Sequence, residues 1–104
     1  MKLSDLVKTV ELRIPAEAGG EIVVRLKREL SWFEQISLGE IQDETEQGKF
    51  LAWKLIDSWD LTDDLGRPLP VTRETLEKLP ASIMLPITDR IVVMSKEANV
   101  KKKT

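Results

Sequence analysis

Two stretches near the start of the chain alternate apolar and polar residues with a period of two. In "VKTVELRI" (7–14), Val10, Leu12 and Ile14 fall on one side and Thr9, Glu11 and Arg13 on the other. In "EIVVRLKR" (21–28), Ile22, Val24 and Leu26 face one way and Arg25 and Lys27 the other. Such alternation predicts two strands with one buried face each. The intervening "PAEAGG" supplies Gly19 and Gly20 for the positive-φ positions of a connection, so the pair reads as an antiparallel β-hairpin lying on something with one side only.

The period then changes. Ser31 with Glu34 three residues on forms a capping-box signature, and Trp32, Phe33 and Ile36 come next, which predicts a helix from about Trp32 to Gln47. Gly48 is the expected break. Lys49 to Trp59 is apolar nearly all round. Ala52, Leu55, Ile56 and Trp59 at spacings of three and four mark one face, with Phe50 and Trp53 widening it, and this predicts the central core helix. Further on, Thr72 caps a short helix through Lys78. Pro80 suits a first helical position, and Pro86 breaks or restarts the last helix. Met84, Ile87, Ile91 and Met94 share one helical stripe. The pattern as a whole predicts an α+β fold, an N-terminal antiparallel β-hairpin packed on three to four α-helices. A single domain over 1–98 precedes a flexible basic tail, 99–104, expected to have no packing partner.

Between the core helix and the capped helix lies "WKLIDSWDLTDDLGRPLPVT" (53–72), rich in Trp, acids and turn formers. Aligned on a calcium loop with Gly66 at its sixth position, only Asp63 falls on a ligand position, and Thr72 stands where the closing Glu belongs, so the match to a calcium site fails. A structural corner explains more. Asp60 and Thr62 end the core helix and "DDLG" reverses the chain with Gly66 in left-handed φ. Pro68 and Pro70 hold "RPLPV" extended. On this reading Trp59, Leu61, Leu69 and Val71 dock on the core while Asp60, Asp63 and Asp64 face water with ordinary acidities, and Thr72 starts the next helix.

Composition narrows the chemistry. The 104 residues suit one domain, and no apolar run approaches the roughly 20 residues of a membrane helix. The sequence contains no His, Cys or Tyr, so the commonest general base, the thiolate nucleophile and disulfides are excluded. No phosphate-binding glycine loop or nucleophile elbow occurs. The expectation is a non-catalytic protein with no cofactor and no metal. Absence of Cys and of an apolar leader in "MKLSDLVKTVELRI" favours a cytoplasmic location. A net charge of −2 provides no general attraction for nucleic acid. The charge is segregated: ten acids against two bases from Glu29 to Asp64, with basic excess on both sides, which would let copies attract head to tail.

The segment "LIDSWDLTDDLGRPLPVTRETLEKLPASIM" resembles a pattern in the tail assembly chaperones of long-tailed bacteriophages and prophages. There a helix ends in Trp, followed by an acidic Gly-Pro turn, a capped helix with Leu-x-x-Leu-Pro and another helix. Trp59, Asp60, Leu61, Asp63, Asp64, Gly66, Pro68, Leu69, Pro70, Thr72, Leu76, Leu79 and Pro80 fit it. The order upstream, a basic hairpin and a helix opening on an aromatic pair, fits as well. The resemblance implies a chaperone that binds the long helical tape measure protein before the tail tube polymerises, acting in the bacterial host cytoplasm and associating with itself. It also implies a longer frameshifted form in many members, and "KKK" at 101–103 is compatible with a slippery codon run. The alternatives are a small structural virion or head–tail joining subunit and, remotely, a metal-binding protein built on the Asp-rich loop.

A binder of an aggregation-prone helix needs apolar surface rimmed by charge. Trp32 and Met94 suit the core. Adjacent bulky residues on a helix diverge in direction, so at least one of Trp32 and Phe33, and one of Val92 and Val93, must lie outside the core. Trp32, Phe33, Val92 and Val93 are therefore the candidate partner-facing positions.

Overall fold

The computed structural model describes residues 1–16 and 19–103, with side chains through Lys96. The element order is α1 (Leu3–Leu6), β1 (Thr9–Pro15), β2 (Glu21–Lys27), α2 (Trp32–Glu40), α3 (Glu44–Leu55), β3 (Ile56–Trp59), α4 (Arg73–Lys78) and α5 (Ala81–Lys103). The fold is α+β, and the hairpin expected from the period-two stretches is present. Val10 lies opposite Leu26, Leu12 opposite Val24 and Ile14 opposite Ile22, so the apolar residues of both strands share one face. Gly19 takes φ +86° in the connection.

The hairpin gains a third strand. β3 pairs antiparallel with β2, giving the order β1-β2-β3. Helical spacing puts Ile56 and Trp59 on the last turns of the core helix, but that helix stops at Leu55. The cause is a β-bulge. Ile56 lies opposite Leu26, Ser58 opposite Arg25 and Trp59 opposite Val24, with Asp57 as the extra residue. In a regular strand, positions three apart point to opposite faces. The inserted Asp57 brings both Ile56 and Trp59 opposite inward-facing residues of β2, so a strand displays a spacing that reads as helical.

Helices α2 and α3 also divide differently from the expected break at Gly48. Helix α2 ends at Glu40, and Asp43 starts α3 by accepting from the N–H groups of Thr45 (2.8 Å) and Glu46 (3.4 Å). The Gln47 amide closes the joint by donating to the Ile41 carbonyl at 2.6 Å. Gly48 is interior to α3 and exposed. Pro86 likewise lies inside α5 and does not restart it. The carbonyl that loses its partner there belongs to Ser82, which is exposed to water. The predicted α4 is present with its Thr72 cap: the hydroxyl accepts from the Thr75 N–H at 3.3 Å. The expected basic tail, 99–104, falls where side chains lie outside the described residues.

The core lies between the inward face of the sheet and helices α3 and α5. Ile14, Val24, Leu26 and Ile56 come from the strands, Ala52 and Leu55 from α3, and Ile87, Ile91 and Met94 from α5. The stripe expected on the last helix is thus the one that packs, with Met84 half-buried at its edge.

The core and the α3 boundary each lead to a stability change. Leu26 is fully buried, so Leu26→Ala should destabilise by about 3 kcal/mol, read from urea denaturation. A Cβ at Gly48 would meet nothing within 4 Å, so Gly48→Ala should stabilise by about 0.5–1 kcal/mol in the same assay.

Candidate functional site

The segment after β3 is a closed corner. Asp60 does not cap a helix. Its N–H donates to the Val23 carbonyl (3.2 Å) and its carboxylate accepts from the Val23 N–H (2.9 Å), extending the β2–β3 ladder by one residue. Beyond it, Thr62 bridges to Pro68 and the Leu69 N–H donates to Leu61 (2.9 Å), making a small antiparallel loop. Its tip turns on Gly66, with φ +79°.

Asp63 fills this loop. One carboxylate oxygen accepts from the N–H groups of Leu65 and Arg67, both at 2.9 Å, and the other from the Arg67 guanidinium at 3.0 Å. Asp63 is therefore turned into its own loop, not out to water as expected. Its acidity is altered too: the Arg67 N–H first, then the Leu65 N–H and the Arg67 side chain, outweigh burial and hold the carboxyl below the usual carboxylate range. Every donor that a cation would have to displace is already in place. Among the described residues no group of three or more acidic side chains converges as a metal site.

Two indoles pin the returning strand. The Trp59 N–H donates to the Leu69 carbonyl at 2.8 Å and the Trp53 N–H to the Val71 carbonyl at 3.3 Å. Pro68 and Pro70, with no N–H to satisfy, alternate with these anchored residues and are exposed. Trp59, Leu61, Leu69 and Val71 are half-buried, and of these Trp59 and Val71 pack against the core.

The aromatic pair at the start of α2 is positioned by charge. Ser31 and Glu34 form the expected capping box: the Ser31 hydroxyl accepts from the Glu34 N–H (3.3 Å) and the Glu34 carboxylate from the Ser31 N–H (2.9 Å). The same carboxylate takes the Lys27 ammonium at 2.9 Å, and both side chains are only 19% exposed. Burial pushes the Glu34 carboxyl up, but Lys27 and the Ser31 N–H together hold it below the usual range.

That anchor decides which way the aromatics point. Glu34, Leu38 and Ile41, spaced four and three, are the half-buried positions of α2 and its C-cap. Trp32 and Ile36 lie on the opposite side of the helix. Trp32 is 73% exposed and Phe33 74%, with ring centroids 5.2 Å apart at 47°. The expectation of Trp32 in the core is thus overturned, and both members of the pair lie outside it. Val92 and Val93 are exposed on α5 as well, while Met94 is buried.

The structure brings Trp32 together with residues that the pattern reading did not single out. Leu3, Leu6 and Val7 of the α1 turn, with Leu30 and Trp32, line a groove of about 390 Å³. Leu3, Leu6 and Val7 are all exposed. Their spacing of three and four in "KLSDLV" is a helical signal hidden beside the strand pattern that begins at Val7. The groove includes neither Val92 nor Val93. A second cleft, about 300 Å³, opens between α3, α4 and α5 over Ala52, Leu76 and Met84. Arg73 and Lys49 at its mouth both pair with Glu46.

Comparison of the chain with protein families, characterised proteins and solved structures finds no match.

A carboxyl whose acidity is raised by folding stabilises the folded state above its unfolded pKa and ceases to do so as pH falls through its lower folded value. Wild-type stability should therefore fall on acidification below about pH 4. Asp63→Asn should be less stable at neutral pH and show a smaller fall on acidification, measured by urea midpoints from neutral to strongly acidic buffer.

Proposed function

We propose that this chain is a non-catalytic, cytoplasmic tail assembly chaperone that holds apolar helical surface of a tape measure protein and associates with further copies of itself. The observation that carries the reading is the outward presentation of Trp32 and Phe33 on a helix start clamped by Lys27, Ser31 and Glu34. Large aromatics displayed from a rigid support lose little conformational freedom on binding, which is the physical profile of an interaction surface. Ile36, exposed one turn on from Trp32, widens the patch. The Asp63 loop supports the same reading from the other side, because its carboxylate is engaged in folding contacts. Among the described residues no helix is long and apolar enough to cross a membrane.

Co-expression of the chain with a phage tape measure protein tests the proposal. The client should remain in the soluble fraction with the wild-type chain. It should pellet with a Trp32→Ser/Phe33→Ser variant whose own solubility and thermal unfolding are unchanged. A client that stays soluble with the variant, or pellets with both proteins, counts against the reading. Mass spectrometry of purified particles separates a chaperone, absent from them, from a structural subunit that remains.

A further inference from the structure

The groove beside α1 has a counterpart on the same molecule. At the tip of the Asp63 loop, Leu65 is 76% exposed, the most exposed large apolar side chain after Met1 among the described residues. The loop that carries it is held by three contacts to the Asp63 carboxylate and by the hydrogen bond from the Gly66 N–H to the Asp63 carbonyl. Leu65 is thus a projecting knob on a stiff support.

Knob and groove lie toward opposite ends of the sheet. The groove sits where β1 begins and β2 ends: Thr9 lies opposite Lys27, and the Arg28 N–H donates to the Lys8 carbonyl. Strand β3 starts opposite Leu26 near that end, runs past Val24 and leaves at Asp60, bonded to Val23, toward the hairpin connection. The Leu65 loop continues from there, so one molecule does not fill its own groove.

The two surfaces also differ in charge. Around Leu65, Asp60, Asp63 and Asp64 face one base, Arg67. The groove is lined by Lys8 and Glu29, with Lys27 neutralised by Glu34, and Lys2, Asp5 and Arg28 adjoin it in the sequence, which leaves a small basic excess. The groove's volume of about 390 Å³ is ample for a leucine side chain and part of its loop.

We propose that the groove lined by Leu3, Leu6, Val7, Leu30 and Trp32 receives the Leu65 loop of a second copy of this chain. The contact is heterologous: each copy offers one knob and one groove, and association extends head to tail. Opposite net charge favours this pairing over groove-to-groove or loop-to-loop contact. The inference deepens the self-association in the proposed function by giving it a surface, and it rests on that reading only there. Leu65 lies away from the aromatic pair, so its substitution separates self-association from client holding, whereas the groove shares Trp32 with the client surface.

Sedimentation velocity from about 10 to about 500 μM, the range expected for a contact smaller than a standard interface, tests it. The wild-type sedimentation coefficient should rise steadily with concentration. Leu65→Asp and Leu6→Asp, both at exposed positions, should each remain monomeric alone. Mixed in equal amounts, the two variants should form a dimer and go no further, because one intact knob and one intact groove remain. A wild-type chain that stays monomeric, a Leu65→Asp or Leu6→Asp chain that assembles like wild type, or a mixture that remains monomeric would overturn the proposal. Loss of assembly in Leu65→Asp with the tape measure protein still kept soluble separates this contact from client binding.

Discussion

The extra residue at Asp57 is the constraint on which the rest of the molecule depends. Strand β2 offers Val24 and Leu26 on its inward face, and both are fully buried. The third strand brings its two bulky side chains, Ile56 and Trp59, at positions three apart, which in a regular strand would face opposite ways. The bulge turns both inward by placing Ile56 opposite Leu26 and Trp59 opposite Val24. Trp59, once fixed, donates to Leu69, and Trp53 in the last turn of α3 donates to Val71. The returning strand therefore takes its position from the sheet and α3 and leads into α4, while α5 packs directly on α3 and β1. Without the bulge, either Ile56 or Trp59 would face outward and this chain of support would lose its first link.

A second constraint is electrostatic and acts at the other end of the sheet. Lys27 closes β2, and its ammonium meets Glu34 where both are largely shielded from water. Most ion pairs here are more exposed, such as Arg13 with Glu11 and Glu21, and contribute little. The Lys27–Glu34 contact differs because the same carboxylate caps α2 through Ser31. Strand end and helix start are thus joined at one point, and the rotation of α2 about its axis is set. With Glu34 and Leu38 inward, Trp32 and Ile36 have no choice but to face out. The exposed aromatics are a consequence of how the helix is anchored, not of a shortage of apolar contacts elsewhere in the fold.

Much of the fold was legible in the sequence where one physical signal acted alone. The period-two stretches revealed the hairpin, Ser31 and Thr72 marked their helix starts, and Ile87, Ile91 and Met94 marked the buried stripe of α5. The misreadings came where two signals compete. Ile56 and Trp59 have helical spacing because a bulge mimics it. Gly48 outranked Asp43 as a helix boundary, although Asp43 with Glu46 three residues on is itself an N-terminal signature, and a glycine interior to a helix costs only about 1 kcal/mol relative to Ala. The direction of Trp32 depended on an ion pair to a residue on another element, which no local pattern contains. Of the candidate surface, adjacency on a helix required one member each of Trp32–Phe33 and Val92–Val93 to be exposed, and the fold exposes both members of each pair. The α1 contribution was masked because Val7 reads as the first residue of the strand pattern.

The distribution of polar groups bears on what kind of molecule this is. Among the described residues, no buried side-chain nitrogen or oxygen lacks a hydrogen-bond partner. The acids of the corner, which by sequence were the nearest approach to a reactive cluster, are divided in use: Asp60 extends the ladder, Asp63 braces its loop, and Asp64 lies at the exposed tip beside Leu65. Polar side chains here are engaged in holding backbone, while several of the largest apolar ones are directed at water. Exposing Trp32, Phe33, Leu3, Leu6 and Leu65 is unfavourable relative to burial by roughly 1.5–3 kcal/mol for each fully exposed large side chain. Lys27, Ser31 and Glu34 anchor the helix start that carries Trp32 and Phe33, and Asp63 braces the loop that carries Leu65. That exposed apolar surface is a standing free-energy cost of the isolated chain, set by how its supports are anchored.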